Sequence, residues 1–280
     1  MSFAVSVDPT NPGQFFACCG LLELADRLWP GAEGWFEHGR FHVRCEGSLA
    51  DLIAKLCQAR IDSSLLTDER KRLATYLSVS EKTLTPARLE EKIRLKEMWK
   101  YERLRVSAPF EVWVDWWRDH RGNRVDPKTW AAKQMVADMA EGMLSVVRAR
   151  AAATPPDAEN LFPFTDADTL PFNFDSDLSG QGAARDTGFS ADTLGLQSQC
   201  RPLLELLALV GLQRVRPYPL PDDSFRFCLW ATPLPLMIAS AAGSGVLGLP
   251  GDQPYQFSLF SRTKYMKAFL PAKPMRGAHE

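Results

Sequence analysis

Residues 13–29 leave a folded chain few choices. Phe15, Phe16, Cys18, Cys19, Leu21, Leu22, Leu24 and Leu28 recur on nearly every side of the helix they would form. A helix without a polar face has to be enclosed by other elements, so this one is expected at the centre of the molecule. Its ends are marked. Asn11-Pro12 pairs a good N-cap with a proline at the first helical position, and Pro30-Gly31 stops the run. A second strongly apolar helix is expected at 203–212, opened by Pro202.

The segments around them alternate in type. Residues 3–7, 104–106, 110–116, 225–230 and 255–260 read as strands, and 35–36 with 40–44 as a hairpin turning at His38-Gly39. Ser48 caps a helix over 49–59. Asp126-Pro127 repeats the cap-plus-proline start, and Ala132, Met135 or Val136, Met139, Met143 and Val146 or Val147 follow at helical spacing. Strands and helices mix without a regular βαβ rhythm, which predicts an α+β class built around the central apolar helix. An Ala/Pro/acidic stretch at 151–163 divides the chain into 1–150 and a loop-rich 151–280, as two regions or one continuous domain; 280 residues suffice for either. Residues 227–251 carry no charge, but prolines and glycines break them too often for a membrane span of roughly 20 apolar residues. They predict a buried strand followed by a small-residue core helix, and no membrane partner.

Net charge is −1, yet the charges are unevenly spread. Residues 157–192 are acidic apart from Arg185, whereas 257–276 hold only bases: Arg262, Lys264, Lys267, Lys273 and Arg276. With no acid nearby in sequence, Arg262, Lys264, Lys267 and Lys273 are candidates for phosphate contacts. The mixed run over 82–105 predicts a solvated helix laced with i,i+4 ion pairs. Between apolar segments, the polar, glycine-rich stretch 171–190 looks like a ligand-contacting loop, with Arg185 as its cation and Asn173 and Gln181 able to read a base edge.

No Walker A, dinucleotide, HExxH or GxSxG motif is present, so no catalytic residue, metal site or cofactor is expected. Asp175, Asp177 and Asp186 partly copy a calcium loop and would serve a metal-dependent nuclease as an alternative. The cysteines form no CxxC pair and read as buried thiols. With no secretory leader in the opening residues, a cytoplasmic location is expected.

Several segments in order, DPTNPGQFFACCGLLELA at 8–25, KTWAAKQ at 128–134, FNFD at 172–175 with ARDTGFS at 184–190, ELLALVGLQ at 205–213, and Trp230 with PLP at 233–235, resemble the short large-subunit proteins of type I-G (formerly I-U) CRISPR systems. The resemblance implies a non-catalytic subunit of a crRNA-guided DNA surveillance complex, Cascade. Its implied partners are crRNA, double-stranded target DNA, the other Cascade subunits and a helicase–nuclease. Its implied work is to recognise the protospacer-adjacent motif and help to bind and unwind the duplex, while guide pairing reads the sequence. A general nucleic-acid-binding accessory protein is the other non-catalytic alternative.

Overall fold

The first apolar helix begins where its flanking residues place it. In the computed structural model of the chain, the Asn11 side chain accepts from the backbone N–H of Gly13 (3.0 Å) and Gln14 (3.4 Å), and α1 runs over Pro12–Leu28. The structure describes residues 2–131, 133–178, 199–263 and 266–275, and of 261–263 and 266 the backbone alone. From Pro12 to Ala25 every residue of α1 except Gln14 is buried, as a helix with no polar face requires.

What encloses it first is the second apolar helix, α6 (Pro202–Arg214), whose residues are buried from Pro202 through Leu212. The two backbones touch. A methyl group at Gly20 would lie 2.0 Å from the Leu207 carbonyl oxygen, and one at Gly211 would lie 1.9 Å from that of Phe16. The buried Glu23 of α1 ties the pair together, held by Arg27 (2.9 Å) and by Arg214 of α6 (2.8 Å).

Four antiparallel sheets and five further helices complete the described fold, an α+β architecture. One sheet orders β1 (Ser2–Ser6), β3 (Arg40–Arg44), β2 (Glu33–Glu37) and β9 (Leu234–Pro235). The β2–β3 hairpin turns at His38-Gly39, both with positive φ (49° and 72°), as a two-residue turn of this hand needs. A second sheet orders β13 (Lys273–Pro274), β10 (Gln253–Phe257), β8 (Phe225–Leu229) and β7 (Tyr218–Pro219). A third holds β4 (Arg60–Ser63), β5 (Leu104–Ser107) and β6 (Val112–Val114), and the fourth is a hairpin of β11 (Leu259–Thr263) and β12 (Met266–Phe269).

The helices are α2 (Leu49–Gln58), with a Ser48–Asp51 capping box, α3 (Thr67–Ser78), α4 (Pro86–Lys100), α5 (Val136–Ala153) and α7 (Leu236–Gly243). One hydrophobic cluster takes in residues from Val5 to Ala272 and so crosses the 151–163 stretch. A smaller one, Leu65, Leu73, Leu95 and Met135, lies under α3 and α4. Among the described residues no helix is long and apolar enough to cross a membrane.

Three local expectations are corrected. The helix expected from Asp126-Pro127 starts at Val136, because Trp130 packs into a ring cluster with Trp116, Trp117 and Phe172 and Thr129 donates to the Phe172 carbonyl. The last expected strand splits into β10 and β11. The ion pairs of α4 do not run along the helix: Glu91 meets Arg72 of α3 (3.4 Å), and Lys92 and Lys96 reach Glu81 (3.2 and 3.4 Å) in the preceding turn. Glu91–Arg72 joins α4 to α3 and the Glu81 pairs join α4 to the turn before it, where helix-internal pairs were expected.

Candidate nucleic-acid interface

The glycine-rich stretch expected to be a loop is described only at its entrance, 171–178, where Ser176, Asp177 and Leu178 are already helical. Gln181, Arg185 and Asp186 lie outside the described residues. Asn173 has φ +68°, and its carbonyl accepts from the Phe269 N–H at 3.0 Å, which anchors the entrance to β12. Phe172 and Phe174 stack on each other in the core. The backbone N–H groups of Phe174 and Asp175 donate to Glu205 of α6 at 3.0 and 3.1 Å. Burial, reinforced by the neighbouring Asp175 carboxylate, pushes Glu205 up to about 8 against the pull of those N–H donors.

Asp175 is itself buried. It accepts from Asn11 Nδ2 (2.7 Å) and pairs with Arg201 (3.2 Å), which also reaches Asp177 (2.9 Å). Burial lifts the Asp175 carboxyl above its ordinary range, with Arg201 and Asn11 opposing. Asn11 thus caps α1 with its oxygen and holds the loop entrance with its nitrogen. A guanidinium stands between the two described aspartates that a metal site would use. Among the described residues no group of three or more His, Cys, Asp or Glu side chains could hold a metal ion.

The basic C-terminal run is also only partly described. Lys264 and the Arg262 side chain lie outside the described residues, and Lys273 is exposed on β13. Lys267 of β12 does meet an acid, Asp126 at 3.2 Å, distant in sequence and close in space.

That ion pair leads to a feature the sequence reading missed. Lys267 and the 117–134 segment close a cavity of about 340 Å³ against the last turns of α4. Its cations are Lys96, Lys100, Arg118, Arg124, Lys128 and Lys267, its aromatic lining is Trp99, Trp117 and Trp130, the last two edge to face at 71°, and no carboxylate lines it. The segment gets its shape from a turn in which the Asp119 carboxylate accepts from the N–H groups of Arg121 (2.8 Å) and Asn123 (2.7 Å), with Arg118 and Arg124 bridged across it. Arg124 donates to the Lys128 carbonyl (2.5 Å) and pairs with Asp126 (3.1 Å).

The charges at this wall do not cancel. Among the described residues the ion pairs are Arg124–Asp126, Lys267–Asp126 and Lys96–Glu81, and none involves Lys100, Arg118 or Lys128. Lys128 Nζ donates to the Trp130 carbonyl (2.9 Å) and sits 4.7 Å from that ring's centre; the Arg118 guanidinium is 5.7 Å from the ring of Trp99. Burial, with Arg124, Arg118 and Lys267 nearby, pulls Lys128 down to about 7 against the attraction of Asp126. Arg118 is lowered by burial, with Glu102 opposing. Trp117 is fully buried, and its indole nitrogen has no hydrogen-bond partner among the described residues.

Half-buried like charges raise each other's energy, and an anion among them relieves that strain. An accessible aromatic face such as Trp99, beside guanidinium and ammonium groups, suits a base or sugar next to a phosphate. A sequence signal was present in retrospect: Trp99, Trp113, Trp116, Trp117 and Trp130 interleave with Lys100, Arg103, Arg105, Arg118, Arg124 and Lys128. On the neighbouring β5–β6 ribbon, Trp113 is exposed with Arg103 and Arg105 at 4.6 and 5.3 Å from its ring. No protein-family model, curated protein or solved structure matches the chain.

Proposed function

We propose that this protein binds nucleic acid as a non-catalytic subunit of a crRNA-guided DNA surveillance complex. The observation that carries the reading is the cavity walled by tryptophans and cations, in which Lys100, Arg118 and Lys128 have no ion-pair partner among the described residues. Phosphate is the anion such a set of donors fits, and nucleic acid presents phosphate beside flat apolar rings. The ordered set of segments resembling type I-G large subunits supports the same reading and supplies its finer content: crRNA, target duplex, the other Cascade subunits and the helicase–nuclease as partners, and the flanking motif as what is recognised.

Purification and salt titration test it together. Tagged protein expressed with the candidate guide RNA and partner subunits is expected to bring both down. Binding of the assembled complex to duplex should weaken with salt, and removing one cation from a phosphate should lower the slope by roughly 0.9. Lys100→Ala and Arg118→Gln are therefore expected to reduce that slope without unfolding the chain. Recovery of the chain alone, with duplex affinity indifferent to both substitutions, would overturn the reading.

A further inference from the structure

The cations of the cavity come from four separate segments and line one volume. Lys96 and Lys100 come from α4, Arg118 and Arg124 from the turn after β6, Lys128 from the segment before α5, and Lys267 from β12. A groove that tracks a backbone of phosphodiesters, each carrying a single charge, spaces its cations along the strand. Convergence suits a group with more charge and more free oxygens at one point. A phosphate monoester has about −1.5 to −2 charge and three strong acceptor oxygens.

The unpaired set matches it. Lys100 and Arg118 supply two positive charges, and Lys128 supplies a third when protonated. About 340 Å³ lies at the small end of ligand cavities, room for one nucleotide and not for a run of them.

Resting on the nucleic-acid reading above, we propose that this cavity receives the terminal phosphate monoester of a nucleotide, at a strand end or free, with Arg118, Lys100 and Lys128 on the phosphate and the partly exposed Trp99 ring against the base or sugar. Lys128 makes the site proton-linked. The charged groups that face it are Arg124, Arg118, Lys267 and Asp126. A bound dianion outweighs the repulsion from the three cations and favours the ammonium form, so binding takes up a proton. Affinity then falls as pH rises through about 7. Above pH 7 the monoester is already dianionic, so the fall belongs to the protein.

The test uses the full chain and labelled single-stranded 12-mers ending in phosphate or in hydroxyl, with AMP and inorganic phosphate as competitors. Phosphate-ended strands are expected to bind about tenfold more tightly. Arg118→Lys, Lys100→Ala and Lys128→Met should erase or shrink that preference while hydroxyl-ended strands still bind. Melting curves identify any variant that fails to fold, and Lys100→Ala at the end of α4 is the least disruptive of the three. The preference should decline roughly fivefold from pH 7 to 8, and Lys128→Met should remove that decline. If AMP competes but the strand ends bind alike, the ligand is a free nucleotide. Equal binding of both ends, no AMP competition, and variants that weaken both strands equally would overturn the monoester proposal and leave the nucleic-acid reading standing. No binding of either strand or of AMP by the full chain would also overturn the monoester proposal, while the nucleic-acid reading is decided separately by the salt slope of the assembled complex.

Discussion

Glu205 shows how much one side chain can settle. It is a carboxyl buried between the N-terminal turn of α6 and the loop entrance, and two backbone N–H groups depend on it. Its folded value, pushed up to about 8, lies above the ordinary carboxylate range near 4. Between those two values the folded chain keeps a proton that the unfolded chain has released. Stability from this group is therefore full below about pH 4 and is lost as pH rises toward 8. Glu205→Gln keeps an acceptor for the N–H groups and removes the titration. Denaturant melts should show the variant gaining on the parent as pH rises from 5.5 to 8. Glu205→Ala leaves two buried N–H groups unpaired, at a cost of about 1–3 kcal/mol each at any pH. Little of this was legible in the sequence. Glu205 stands in an apolar run, and its partners lie 31 and 30 residues earlier, across a loop.

At the scale of elements, local chemistry was readable wherever it acts on its own neighbours. The Asn11 and Ser48 caps, the His38-Gly39 turn and the two all-round apolar helices are written in adjacent residues, and the fold has them in place. Reading failed where partners are remote. The 126–135 segment carries a helix-start signal that its packing overrides, since Trp130 is worth more in the aromatic cluster than on a helix surface. Likewise β4 has no strong pattern of its own and exists because β5 pairs with it. Neither could the α1–α6 approach be read from either helix alone. Gly20 and Gly211 allow it, and each is expected to be intolerant of one methyl group. Gly20→Ala and Gly211→Ala press a Cβ into a backbone carbonyl that cannot rotate away. Each should destabilise by about 3 kcal/mol, read from urea midpoints. Gly142→Ala is the control, because its Cβ would meet nothing within 4 Å.

For the whole molecule the same remoteness governs both fold and site. The cavity draws on residues between 96 and 136 and on Lys267, so neither the charged run nor the basic tail revealed it separately. The halves on either side of 151–163 are also joined: β2 pairs with β9, α1 lies along α6, and the Trp230 indole donates to the Gly34 carbonyl at 2.7 Å. A protease site inserted after the exposed Thr154 should therefore give a nicked protein whose fragments elute together from a sizing column and separate only in denaturant. Fragments that part under native conditions would show that the shared core does not bind them. The distance between Gly34 and Trp230 in sequence, 196 residues, has a further meaning during synthesis. At roughly 5–20 residues per second, about 10–40 s pass between the emergence of one and of the other. For most of that interval α1 has left the ribosome without α6, which is complete only at Arg214, and throughout it the edge of β2 has no strand to close it. Those apolar residues stay uncovered until the C-terminal half arrives, so the N-terminal half made alone is expected to aggregate.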